Sequence, residues 1–168
     1  MSITFQGNPV SISGQLPKPN QVAPSFTLCD KDLNDLTLES LKGKNILLNI
    51  FPSIDTPVCA TSVRNFNEKA ANLDNTIVLC ISADIPFAMN RFCGAEGIDN
   101  VKTASFFREP SFTENFGVNL NEGALKGFSA RAVIVINSEG VVKYSELVPE
   151  ITTEPNYEAA MAAMAALV

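Results

Sequence analysis

The segment Asn45-Ile46-Leu47-Leu48-Asn49-Ile50-Phe51, closed by Pro52, constrains this chain more than any other. An almost unbroken apolar run of strand length suits a strand buried on both faces, in the middle of a sheet. Pro52 stops it. Thr56-Pro57 then opens a helix, because threonine is a favoured N-cap and proline is favoured at the first helical position. Val58, Ser62, Phe66 and Leu73 fall near helical spacing, which predicts a helix up to about Leu73. Ile77 to Ser82 reads as a second buried strand. A strand, a helix and a strand need a crossover, so the two strands are expected to run parallel.

The remaining segments extend this unit in both directions. Ile3 to Phe5 and Val10 to Ile12 flank Gly7-Asn8-Pro9 and predict an N-terminal β-hairpin. Pro17, Pro19 and Pro24 mark an extended lead-in to a short strand at Phe26 to Cys29, and Leu38 to Leu41 reads as a helical turn. Pro86 starts a second helix, through Phe92, that ends at Gly94 or Gly97. A short strand near Val101 to Ala104 and a helical turn near Phe112 to Phe116 follow. Ala132 to Ile136 and Val141 to Leu147 form a hairpin about Asn137-Ser138-Glu139-Gly140, and Tyr157 to Leu167 is an alanine-rich closing helix. The expected architecture is α/β, with a mixed central sheet flanked by helices on both faces. Residues 1–168 are expected to form one domain.

Composition narrows the function. The formal net charge is −6 and no basic run occurs, which disfavours a nucleic-acid partner. No stretch has the length of a membrane span, and the first residues lack a basic start and an apolar core of signal-peptide length. A cytoplasmic protein without a membrane partner is therefore expected. There is no histidine, so mechanisms that need an imidazole base are excluded. A nucleophile here must be activated by dipoles, cations or burial.

Four cysteines are present, at 29, 59, 80 and 93, with no Cys-x-x-Cys pair. Cys59 would lie third in the predicted helix, near unpaired backbone N–H groups and the positive end of the helix dipole. Such a site favours the thiolate, the reactive form of the side chain. It also follows the carboxyl end of a buried strand, where sites gather in open α/β sheets. Placement alone leaves a second reading open, in which Cys59 is a small hydrophobe buried in a helix. Arg131, just before a strand, reads from placement alone equally well as a surface charge. Cys80 lies mid-strand and reads as core.

The wider pattern is more specific. Pro52-Ser53-Ile54-Asp55-Thr56-Pro57-Val58-Cys59 contains Pro-x-x-x-Thr-x-x-Cys. Asn49-Ile50-Phe51 precedes it and Ser62-Val63-Arg64 follows. Further on come Cys80-Ile81-Ser82-Ala83-Asp84, Arg91-Phe92-Cys93-Gly94-Ala95-Glu96-Gly97, Ala130-Arg131-Ala132, and the tail from Glu150 to Ala160. Together these resemble the peroxiredoxin family, in its bacterial thiol peroxidase branch. The resemblance runs over nearly the whole chain and implies a thioredoxin-like fold. Where this chain has Pro57, the family often carries a small residue, commonly glycine.

The resemblance implies roles by position. Cys59 would be the peroxidatic cysteine, and Thr56 would offer its hydroxyl to the thiolate and the bound peroxide. Pro52 would shield the sulfur from water, and Arg131 would supply a fixed positive charge beside it. Cys93 would be the resolving cysteine, forming an intramolecular disulfide with Cys59; burial for structural reasons is the rival reading of Cys93. The implied enzyme reduces hydrogen peroxide and organic hydroperoxides through a Cys59 sulfenic acid. It is recycled by thioredoxin, needs no cofactor or metal, and forms a homodimer. Phe51, Phe87 and Phe92 predict an apolar surround suited to organic hydroperoxides. Two other functions stay open on the residues alone: a thiol–disulfide oxidoreductase, against which the missing Cys-x-x-Cys counts, and a redox sensor or chaperone-like binding protein in which peroxide reactivity only signals.

Overall fold

The structure, a computed structural model, describes residues 2–167. In chain order the elements are β1 (Ser2–Phe5), β2 (Asn8–Ser13), β3 (Thr27–Asp30), β4 (Asp35–Thr37), a 3-10 turn (Glu39–Leu41), β5 (Asn45–Ile50), α1 (Pro57–Ala70) and β6 (Thr76–Ser82). They continue with α2 (Pro86–Glu96), β7 (Lys102–Ser105), α3 (Ser111–Asn115), β8 (Asn119–Leu120), β9 (Ala132–Ile136), β10 (Val142–Leu147) and α4 (Tyr157–Ala165).

The main sheet has seven strands in the order β10-β9-β5-β6-β7-β3-β4. β5, β6 and β7 run parallel, and every other pairing in this sheet is antiparallel. The expected mixed sheet is therefore present, and all six residues of β5 are buried at its centre. Side chains alternate across a strand, and β5 divides the core accordingly. Ile46, Leu48 and Ile50 join the cluster that holds Phe26, Phe112 and Phe116. Leu47 and Phe51 face the other way, among residues of α1, α2 and α4. One face thus carries the three longer helices. The other is covered by α3 and by a small sheet of order β1-β2-β8.

Some boundaries differ from the sequence expectation. The N-terminal hairpin turns at Gln6-Gly7, with Phe5 opposite Asn8, so Asn8 and Pro9 belong to β2 rather than to the turn. Gln6 and Gly7 both have positive φ (51° and 81°), as a two-residue hairpin turn of matching twist requires. α1 ends at Ala70, short of Leu73, and α2 ends at Glu96 with Gly97 as its left-handed C-cap (φ 65°). No helix among the described residues is long and apolar enough to cross a membrane.

Candidate active site

β5 delivers the chain into a pinned loop. The Phe51 N–H donates to the Ile81 carbonyl at 3.1 Å, and the Ser129 hydroxyl donates to the Phe51 carbonyl at 2.8 Å. Asp84, just beyond β6, accepts from Ser53 Oγ (2.8 Å), the Ile54 N–H (2.7 Å) and Ser82 Oγ (2.6 Å). The start of α1 is therefore tied to its neighbouring strand before the helix begins.

Thr56 occupies the N-cap position with an extended backbone (φ −91°, ψ 147°), and Pro57 is the first helical residue, both as expected. The side-chain cap is a correction. The Thr56 hydroxyl donates back to the Ser53 carbonyl at 2.9 Å, where the Thr56 N–H also points at 3.1 Å, and makes no capping bond. The tight turn draws the side chain away from the helix and leaves the first-turn amides without that acceptor.

Cys59 is the third residue of α1 and fully buried, at 0% exposure, in a cluster with Phe51, Ile54, Val63, Met89 and Phe92. Its sulfur accepts a hydrogen bond from Arg131 Nη2 at 3.3 Å. Arg131 is no surface charge: it is only 2% exposed. Its Nε donates to the Ile151 carbonyl at 2.9 Å, and its own carbonyl accepts from the Val148 N–H at 3.0 Å. Its Nη1 is buried without a hydrogen-bond partner among the described residues. A guanidinium is costly to bury unless its donors are met, so this nitrogen marks a place for an acceptor.

Arg131 also lines a cavity of about 220 Å³. Pro52, Thr56, Pro57 and Val58 form its α1 side, and Phe5, Gln6, Ile151 and Thr152 stand among its other walls. The site thus joins a thiol, a helix N-terminus and a fixed cation next to a space for a small molecule. No cluster of three Cys, Asp or Glu side chains that could hold a metal ion occurs among the described residues. Of the expected phenylalanines, Phe51 and Phe92 do surround Cys59. Phe87 does not: it is 66% exposed, because α2 turns its Met89–Phe92 side to the core.

Cys93 lies in α2, half-buried against the edge of the Cys59 cluster, and burial pushes its thiol up. It lines a different cavity, with Asn90, Lys31 and Lys102. α2 is tied to α1 by Arg64, which pairs with Glu96 at 2.5 Å and stacks its guanidinium 5.7 Å from the Phe92 ring centre. All four cysteines are free thiols.

A family profile described as Redoxin matches residues 18–161. A thiol peroxidase of Vibrio cholerae serotype O1 is 60% identical over 158 residues, covering 94% of this chain and 96% of that protein. A thiol peroxidase of Mycobacterium tuberculosis is 55% identical over 164 residues, covering 98% of each. The chain belongs to the Redoxin family, in the thiol peroxidase branch of the peroxiredoxins. It is a thiol-dependent peroxidase. Its fold matches the crystal structure of a peroxiredoxin-like protein from Aquifex aeolicus with a TM-score of 0.94 at 41% identity, over 99% of this chain and 97% of that one. A thiol peroxidase from Chromobacterium violaceum, at 22% identity and a TM-score of 0.88, covers 99% of this chain and 96% of that one and shares the fold.

In this peroxiredoxin, several supporting residues carried no role in the sequence reading. Asn49 Nδ2 donates to Ser62 Oγ (3.2 Å) and to the Cys80 sulfur (3.7 Å), while Ser62 Oγ donates to the Cys59 carbonyl at 2.8 Å. A polar residue in the middle of an apolar strand was the available signal for Asn49. Cys80 is core as expected, and burial pushes its thiol up to about 12, so it stays protonated at neutral pH. Asp84, Ser129 and Glu150 each also bond residues distant in sequence, and no local pattern announces those contacts.

Proposed function

We propose that Cys59 is the peroxidatic nucleophile of this peroxidase and that Arg131 activates it. The observation that carries this reading is the Arg131 Nη2 contact with the Cys59 sulfur at 3.3 Å, with Nη1 left buried and unpartnered among the described residues. The thiolate attacks the terminal oxygen of a hydroperoxide ROOH. The O–O bond breaks, an S–O bond forms, and the departing alkoxide takes a proton to leave as ROH, or as water when R is hydrogen. Cys59 becomes a sulfenic acid. Arg131 stabilises the charge moving between sulfur and oxygen, at a position fixed before the reaction. The Thr56 hydroxyl already donates to Ser53, and its free lone pairs accept from the peroxide O–H. Pro52, a wall of the cavity, keeps water from the sulfur.

Cys93 then condenses with the sulfenic acid, releasing water and forming the intramolecular Cys59–Cys93 disulfide. A dithiol reductant, thioredoxin, exchanges with that disulfide and restores both thiols. Both hydrogen peroxide and organic hydroperoxides are substrates; Phe5, Val58 and Ile151 give the cavity walls that receive an alkyl group. The domain acts as a cytoplasmic homodimer. Exposed Ile85 and Phe87 at the start of α2 supply an apolar surface for the second copy.

The experiment is a steady-state assay with thioredoxin, its reductase and either hydrogen peroxide or an alkyl hydroperoxide. Many turnovers per protein, lost in Cys59→Ser, are expected. Consumption of a single equivalent would instead make the protein a sensor, and turnover of disulfides without peroxide would make it an oxidoreductase.

A further inference from the structure

The Glu150 carboxylate accepts hydrogen bonds from five directions. Oε1 takes Thr4 Oγ1 at 2.9 Å and the Gly7 N–H at 2.8 Å. Oε2 takes the Gln6 N–H at 3.3 Å, the Thr152 N–H at 2.8 Å and Thr152 Oγ1 at 2.6 Å. Three of these donors belong to the N-terminal hairpin, and two belong to the loop that follows Glu150 itself. The carboxylate therefore fastens one to the other. Those same two segments supply Phe5, Gln6, Ile151 and Thr152 to the cavity beside Arg131. Ile151 links them further: its N–H donates to the Thr4 carbonyl at 2.9 Å, and its carbonyl accepts from Arg131 Nε at 2.9 Å.

We propose that Glu150 is a positioning residue for the peroxide reaction. It holds the hairpin turn as a wall of the substrate cavity, and through the Ile151 carbonyl it holds the Arg131 guanidinium against the Cys59 sulfur. This rests on the reading of Cys59 as the nucleophile. The chemistry requires a carboxylate. An ionised carboxylate only accepts, and every group around it donates; a glutamine amide would turn N–H groups towards donors. The hydrogen bonds draw the carboxyl down to about 2, led by the Thr152 hydroxyl and backbone, so it is ionised at any working pH. The turn it grips has Gln6 at a φ of 51°, a conformation uncommon outside glycine, asparagine and aspartate, and the carboxylate on the Gln6 and Gly7 amides helps to keep it there.

The test compares the second-order rate of Cys59 oxidation in the wild type, Glu150→Gln and Glu150→Asp, by hydrogen peroxide and by tert-butyl hydroperoxide. All three are assayed at a temperature where circular dichroism shows them folded. Glu150→Gln is expected to react at least about tenfold more slowly, within the roughly 100-fold that a 1 Å misplacement can cost. Glu150→Asp, which keeps an acceptor-only group with a shorter reach, is expected to recover part of the rate. The alkyl hydroperoxide is expected to suffer more than hydrogen peroxide, since it fills more of the cavity. A merely structural clamp would lower the melting temperature and leave both rates unchanged, and that result would overturn the proposal. Should Glu150→Gln not fold, Thr4→Val removes one of the five donors and must slow the reaction in the same direction. A wild type inert to both peroxides would instead overturn the nucleophile assignment. The clamp would then stand or fall on hydrogen exchange at residues 2–7, expected to be faster in Glu150→Gln; equal protection would sink it.

Discussion

The Arg131 guanidinium touches the Cys59 sulfur across 72 residues of sequence, at 3.3 Å, with both residues buried. With no histidine in the chain, this contact and the start of α1 are the available means of stabilising a thiolate. Arg131→Met keeps most of the side-chain volume and removes the charge. We expect it to slow Cys59 oxidation by about 100-fold or more, on the scale of losing one preorganised donor. An unchanged rate would reduce Arg131 to a packing residue.

Cys59→Ser should abolish turnover, because a hydroxyl without a base cannot supply the nucleophile. Cys80→Ser should leave the rate nearly unchanged. Cys80 is paired with Asn49 deep in β6, and its thiol, pushed up to about 12, carries no thiolate at neutral pH. Peroxide consumption by each variant decides. A large loss in Cys80→Ser would give the Asn49–Ser62 hydrogen bonds a larger part than support of the Cys59 carbonyl.

Disulfide formation should melt the end of α2. Cys59 and Cys93 sit in separate helices, and a disulfide needs Cα atoms within about 7 Å. Gly94 weakens the helix next to Cys93, whereas Pro57 stiffens the start of α1. Formation of the S–S bond from the sulfenic acid, with release of water, is what offsets the local melting. Hydrogen exchange should show protection lost across residues 86–97 in the oxidised form. Equal protection there and across 56–64 in both redox states would count against this.

Arg64 holds that same end in place through Glu96 and Phe92. Arg64→Met should therefore speed conversion of the sulfenic acid to the disulfide while leaving the first reaction with peroxide unchanged. Stopped-flow traces separate the two phases. A slower second phase would mean that Arg64 guides Cys93 instead of restraining it.

Acid should loosen the N-terminal hairpin. The Glu150 carboxyl is drawn from 4.5 to about 2 in the folded protein. A lowered folded value means that the stabilisation is complete above about pH 4.5 and disappears as pH falls towards 2. The wild type should lose stability through that window, and Glu150→Gln should show a shallower acid limb. Parallel acid limbs in denaturant titrations of the two proteins would rule this out.

The sequence carried the centre of the fold better than its margins. β5, β6 and β9 are apolar runs, and α1 and α2 open on proline, so local chemistry marks them. β4 and β8 have three and two residues and exist only because a neighbouring strand offers pairing, which no periodicity reveals. The hairpin turn moved from Gly7-Asn8-Pro9 to Gln6-Gly7, at the residues that the Glu150 carboxylate grips. At the site, the third-residue position of Cys59 was legible from Thr56-Pro57. The burial of Arg131 was not, since it depends on Ile151 and Val148 closing over it.

The strand order decides which chain can supply the second thiol. β5, β6 and β7 follow one another across the sheet in sequence order. Two right-handed crossovers taken in the same direction place their helices on the same side. Cys59 on α1 and Cys93 on α2 therefore share one apolar compartment, with no sheet between them. Had β7 been inserted on the far side of β5, the same crossover rule would have carried α2 to the opposite face. A second sulfur would then have had to come from another chain. Topology, settled when the sheet assembles, makes the proposed condensation of Cys93 with the Cys59 sulfenic acid unimolecular.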